Sequence, residues 1–84
     1  MRVTLKLFAS LQARLPAEAR RESRVEVDLP PGATVQALID LYRIPPDLCA
    51  LVLLDGVFLA PGERASRLLA EGDTVAIWPP VGGG

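Results

Sequence analysis

Histidine is absent from all 84 residues. That removes the Ser-His and Cys-His catalytic pairs, the commonest acid–base side chain and the commonest zinc ligand. One cysteine is present, Cys49, so no internal disulfide can form. It sits in Leu48-Cys49-Ala50-Leu51, where a small buried hydrophobe is expected rather than a nucleophile, which would need a neighbouring base. A basic excess is also missing: nine Lys and Arg stand against ten Asp and Glu, for a net charge of −1. Nucleic acid is therefore not expected as a partner, because phosphate binding draws on surplus cations. No Walker or dinucleotide glycine loop occurs. No apolar run is long enough to span a membrane, and no signal-peptide core precedes the first strand pattern, so a cytoplasmic location is expected. No metal site and no cofactor of its own are expected. Such a chain is poorly equipped to be a catalyst by itself.

What is present is a single domain's worth of apolar pattern. Half of the residues are hydrophobic, enough for one small core. Arg2-Val3-Thr4-Leu5-Lys6-Leu7-Phe8 alternates, with Val3, Leu5 and Leu7 on the buried side of a strand. Ser10 is placed to cap a short helical stretch carrying Leu11 and Leu15 and stopped near Pro16. Arg14, Arg20, Arg21 and Arg24 cluster beyond it and read as a solvated loop. Arg24–Leu29 alternates again and ends at Pro30-Pro31-Gly32. Thr34 suits a helix N-cap, and Val35, Leu38, Ile39 and Tyr42 follow at i, i+3, i+4 and i+7, one apolar stripe closed by Pro45-Pro46. Leu51–Leu54 is a third strand. Asp55-Gly56 is a hairpin turn returning through Val57-Phe58-Leu59. Ser66–Leu69 reads as one helical turn. Glu71-Gly72-Asp73 leads into a last strand, Thr74–Trp78. The economical fold is α+β: a mixed sheet of about five strands with one main helix seated on one face and water on the other. Residues 1–80 form the domain and 81–84 a flexible tail.

Two features point to function. Val81-Gly82-Gly83-Gly84 follows directly on the last strand through Pro79-Pro80, whose fixed φ favours an extended exit. From Pro79 onward the tail reaches roughly 20 Å at about 3.3 Å per residue. Without side chains it can enter a slot too narrow for other residues. Its one reactive group is the Gly84 carboxylate, a poor acyl donor until a partner converts it to an acyl-adenylate. A sulfur nucleophile can then displace AMP and leave a thiocarboxylate. The second feature is the placement of Phe8, Phe58 and Trp78 on the opposite parity from the core residues of their strands. Three aromatic groups on an open face mark a partner site. An exposed Trp78 would contribute little to thermal stability and much to binding.

Glu71-Gly72-Asp73-Thr74-Val75-Ala76-Ile77-Trp78-Pro79-Pro80-Val81, with Gly83-Gly84 at the end, resembles the C-terminus of the MoaD/ThiS sulfur-carrier family, closest to its molybdopterin synthase small-subunit branch. The strand through Phe8-Ala9 and the helix start Gly32-Ala33-Thr34-Val35-Gln36-Ala37-Leu38 match as well. The resemblance implies a ubiquitin-like β-grasp fold. It implies an E1-like adenylating enzyme (MoeB/ThiF type) that spends ATP on Gly84, with Gly83 giving access. A persulfide sulfur donor and a sulfur-accepting synthase large subunit (MoaE type) complete the set of partners. Phe8, Phe58, Trp78, Pro79, Pro80, Val81 and Gly82 are the implied partner-binding positions. Triple-glycine endings also occur in the thiazole-type carriers, so thiazole or another metabolite is an alternative destination for the sulfur. The same activated Gly84 could instead be joined to lysines of other proteins, and a plain binding domain with an inert tail is a third reading.

Overall fold

A computed structural model describes residues 1–81. Five strands form one mixed sheet: β1 (Arg2–Leu7), β2 (Arg24–Asp28), β3 (Leu51–Leu54), β4 (Val57–Phe58) and β5 (Thr74–Trp78). One α-helix, α1 (Val35–Leu41), crosses a single face, and the strand order is β2-β1-β5-β3-β4. β1 and β5 run parallel at the centre, and every other pairing is antiparallel. This is the expected α+β architecture, reached as the alternating residues required. Val3, Leu5 and Leu7 of β1, Val52 and Leu54 of β3, and Val75 and Ile77 of β5 are buried. Val35, Leu38 and Ile39 of α1 pack down on them, with Tyr42 partly buried at the helix end.

Local chemistry sets the boundaries. The Thr34 hydroxyl accepts from the Ala37 N–H at 3.1 Å, the expected N-cap. The helix stops at Leu41, ahead of the prolines, because Arg43 takes a φ of +55°. Asp55 and Gly56 both have positive φ, the signature of a type I′ hairpin. Asp55 also ties this hairpin to the centre of the sheet. Its N–H donates to the Thr74 carbonyl, and its Oδ1 accepts from the Thr74 N–H, both at 2.8 Å. At the same end of the molecule the Glu71-Gly72-Asp73 turn is stitched to β1. The Gly72 N–H donates to the Arg2 carbonyl and the Thr4 N–H to the Asp73 carbonyl.

Three local expectations are corrected. Ser10 does not cap: the stretch Ala9–Arg14 is a 3-10 helix whose N-cap position is Phe8, with no side-chain cap. Ala9, at φ +53°, turns the chain one residue earlier than a Ser10 cap would, and this delivers Leu11 and Leu15 to the core. The arginine-rich segment is not loop throughout, since Ala17–Glu22 forms a second 3-10 helix. Arg20 folds back in it to donate to the carbonyls of Leu15 and Ala13, at 3.1 Å each. Ser66–Leu69 is not helical. The helical turn lies earlier, at Pro61–Glu63, and Leu68 makes an antiparallel bridge to Thr34. Val35 and Leu69 donate to Arg67 and Ala33 across that bridge, and these cross-chain bonds take the backbone groups a helical turn would have used.

The one buried charge among the described residues is Arg64, with 5% of its surface exposed. Its Nε and Nη2 have no hydrogen-bond partner among the described residues. An unpaired buried charge is costlier than an apolar group of similar volume. Arg64→Met is therefore expected to stabilise the domain by about 1–2 kcal/mol, read as a higher midpoint in urea unfolding with an unchanged slope. Gly56→Ala should act in the opposite direction. A Cβ there meets nothing within 4 Å, but φ is +84°. The expected loss is about 1 kcal/mol from backbone strain alone, measured in the same titration.

Candidate functional site

Strand parity divides the sheet cleanly. The face away from α1 carries Thr4 and Lys6 of β1, Ala76 and Trp78 of β5, Leu51 and Leu53 of β3, and Phe58 of β4, since residues paired across strands share a face. The three aromatic positions expected there are all on it. They are not equivalent. Phe58 is more than half exposed, at 55%, on a strand of two residues at the sheet edge. Phe8 and Trp78 are half-buried because they cover one another. Their rings are stacked at a centroid distance of 4.3 Å and an interplanar angle of 6°.

That stack follows from the central pairing. Leu7 and Ile77 are register partners, and the Phe8 N–H continues the ladder by donating to the Ile77 carbonyl at 3.2 Å. The next residue on each strand then projects outward, and the two rings meet. Leu51, opposite Trp78, adds a 37% exposed apolar neighbour. Leu53 links it to Phe58, its partner on β4. Ala76, though on the open face, is only 8% exposed, a small side chain flooring the space between larger neighbours. Leu51, Leu53 and Ala76 are site residues that the aromatic parity argument missed. Their signal was the same alternation, applied to aliphatic rather than aromatic positions.

Beyond Trp78, Pro79 is half-buried, while Pro80 and Val81 are exposed. The expected tail residues Gly82, Gly83 and Gly84 lie outside the described residues. Trp78 thus stands at the root of the tail, braced by Phe8.

Cys49 lies apart from this face. It is buried in the core with α1, as the sequence implied. Burial pushes its thiol pKa up, against a smaller opposing pull from the Arg64 guanidinium. A protonated, buried thiol is a poor nucleophile. Among the described residues no cluster of three or more His, Cys, Asp or Glu could hold a metal ion. No helix among them is long and apolar enough to cross a membrane.

A mixed five-stranded sheet grasping one helix, with the last strand at its centre, is the ubiquitin-like β-grasp fold. The ThiS family model matches residues 6–84; the chain belongs to the ThiS family, whose fold is that of the ThiS/MoaD-type sulfur carriers. Among solved structures it is similar to SAMP1 from Haloferax volcanii, with 31% identity, all of both chains covered and a TM-score of 0.67. It is similar in fold to a chain in the complex of subunits 1 and 2 of molybdopterin-converting factor from Helicobacter pylori, at 17% identity, full coverage of both chains and a TM-score of 0.60. The same holds for the thiamine biosynthesis protein ThiS from Geobacter metallireducens, at 18% identity, with 96% of this chain and 99% of that chain covered and a TM-score of 0.60. No curated protein sequence matches the chain.

The stack changes what is expected of Trp78. A fully buried tryptophan cut to alanine costs about 3–5 kcal/mol, and a free surface one almost nothing. Trp78→Ala removes one aromatic pair and a half-buried ring, for an expected loss of about 1–2 kcal/mol, or roughly 5–10 °C in melting temperature for a domain of this size. Phe8→Ala should lose nearly as much, and the double variant less than the two summed, because both single changes break the same contact.

Proposed function

We propose that the chain is a sulfur carrier whose reacting group is the Gly84 carboxylate, serving molybdopterin synthesis. In this reading an E1-like enzyme binds the carrier and ATP. The carboxylate attacks the α-phosphorus, pyrophosphate leaves, and the terminal glycine becomes an acyl-adenylate. The outer sulfur of a persulfide donor then attacks the acyl carbon and displaces AMP to give an acyl disulfide. A second thiol of the donor reduces that S–S bond, leaving a disulfide on the donor and a thiocarboxylate on the chain. A synthase large subunit receives the tail and its sulfur. ATP belongs to the activating partner, and the chain holds no cofactor of its own. The setting is the cytoplasm. Residues 1–80 act as the rigid body and 81–84 as the working tail.

The observation that carries the reading is the position of β5. It is paired on both sides, to β1 and β3, and leads through Pro79-Pro80 toward the glycines, so thrust on the tail is resisted by the centre of the sheet. Phe8, Phe58, Trp78, Pro79, Pro80, Val81 and Gly82 are the contacts assigned to partners, with Gly83 slim enough to pass a narrow channel. The family model extends through Gly84, which supports counting the tail as part of the family's domain. The likeness in fold to a chain in the two-subunit molybdopterin-converting factor complex supports a synthase partner in general.

A second reading, attachment of Gly84 to lysines of other proteins, is favoured by a different observation. The chain is 26% identical to a solved structure of the Haloferax volcanii small archaeal modifier protein 1, over 95% of its length. Both readings begin with the same adenylate, so they diverge only in the acceptor.

Deleting Gly84, or capping its carboxylate as an amide, should abolish ATP–pyrophosphate exchange by the cognate E1-like enzyme. The melting temperature should not move, since the change leaves every residue of the core in place. Undiminished exchange would end the carrier reading. Intact mass of the protein from its own host separates the branches. One oxygen-to-sulfur exchange marks the carrier, whereas lysines bearing a diglycine remnant on other proteins mark the modifier.

A further inference from the structure

The open face can be followed across the whole sheet by register. Arg24 of β2 lies opposite Lys6 of β1, Lys6 opposite Ala76 of β5, Ala76 opposite Leu53 of β3, and Leu53 opposite Phe58 of β4. These five residues make one row, cationic at one end and apolar at the other. On the Trp78 side of that row lie the Phe8–Trp78 stack and Leu51. On the opposite side lie Glu26, Thr4 and Thr74, where the Thr4 hydroxyl donates to the Glu26 carboxylate at 3.3 Å. The patch thus has an apolar centre, a polar and acidic lower border, and a basic border on the β2 side.

That basic border is unusual in its own sheet. Like charges directly opposite one another on neighbouring strands are destabilising, yet Lys6 and Arg24 are register partners. Neither makes an ion pair with a carboxylate among the described residues. The two ion pairs among the described residues are Arg2–Asp28 and Arg67–Glu63. Arg21, in the 3-10 helix that precedes β2 across the left-handed Ser23, is exposed and likewise takes part in neither. Glu18 and Glu22 share that helix and are also exposed, so the border is a mixed-charge surface with a cationic edge. Such an edge suits a protein surface better than a polyanion, as does the net charge of −1.

We infer that Lys6 and Arg24 form a basic rim that pairs with carboxylates on the protein receiving the Trp78–Phe58 face. The partner's complementary surface has a hydrophobic patch with an acidic margin along the side that meets β2. Naming the adenylating enzyme as that protein rests on the sulfur-carrier reading above; the acidic chemistry of the partner rests on the rim itself. Charges at the border of an apolar contact act mainly on the rate of encounter and on orientation, and their effect fades with salt.

The test is the association kinetics of the full chain with the E1-like enzyme of its own host, for the parent, Arg24→Glu and Phe58→Ala, at about 50 mM and about 500 mM salt. Arg24→Glu places a carboxylate opposite Lys6, converting a repulsive cross-strand pair into an attractive one, so its melting temperature should hold or rise. Its association rate should nevertheless fall roughly fivefold to tenfold at low salt, with the difference closing at high salt and the dissociation rate little changed. Phe58→Ala should show the reverse pattern, a faster dissociation with little salt dependence. An Arg24→Glu variant that associates as fast as a parent that binds and is adenylated overturns the rim alone. A parent that neither binds the enzyme nor is adenylated overturns the rim and the carrier reading together. Retention of a single-stranded RNA by the parent, lost in Arg24→Glu, would assign the rim to nucleic acid and overturn the protein-partner proposal.

Discussion

Everything on the open face depends on the parallel pairing of β1 with β5. Thr4, Leu5, Lys6 and Leu7 take Thr74, Val75, Ala76 and Ile77 as partners, joining residues near opposite ends of the sequence. The pairing puts β5 between two neighbours and buries Val75 and Ile77 completely. It also decides which side chains can meet. A slip of one residue would turn Trp78 toward α1 and Ile77 toward water, and Phe8 would lose its stacking partner. The same register aligns Lys6 with Ala76 and so sets how far the basic border stands from the aromatic stack.

The two faces of these strands have separated into different jobs. The side under α1 is aliphatic and closed, and Cys49 is buried in it. The other side is shared among aromatics, leucines, one alanine and a flanking pair of cations. Alternation along single strands is enough to produce that separation, because every residue that contributes to one face is withheld from the other. The domain therefore builds its open face from the same strands that carry its core.

This explains why much of the fold was legible in the sequence and some of it was not. Period-two alternation in Arg2–Phe8 and Thr74–Trp78, and the i, i+3, i+4 spacing of Val35, Leu38 and Ile39, are properties of a few adjacent residues, and the structure follows them. Asp55-Gly56 is likewise local, since both positions take positive φ. The misread segments carry no such local pattern. Ser66–Leu69 is held by hydrogen bonds to Ala33 and Val35, and Ala17–Glu22 has no amphipathic stripe to announce a 3-10 helix. The Phe8–Trp78 stack was half legible: parity gave each ring its face, but their contact requires the β1–β5 register, which no short window contains. Burial of Arg64 and Ala76 runs against residue type and against parity respectively, and only packing reveals it.

The central parallel pairing has a further consequence for how the molecule comes into being. Closing so long a loop is entropically slow, and β1 has nothing on its inner side until β5 arrives. On a ribosome β5 would be among the last elements to emerge, after the helix and the hairpin strands were already available. The hydrophobic centre can then close only when the strand that bears Trp78 is in hand. A nascent chain cut short before Thr74 would lack the strand needed to complete its core and would be exposed to proteases as an open sheet. Completion of the fold thus reports on the presence of β5, the strand that leads toward the residues the proposed chemistry uses.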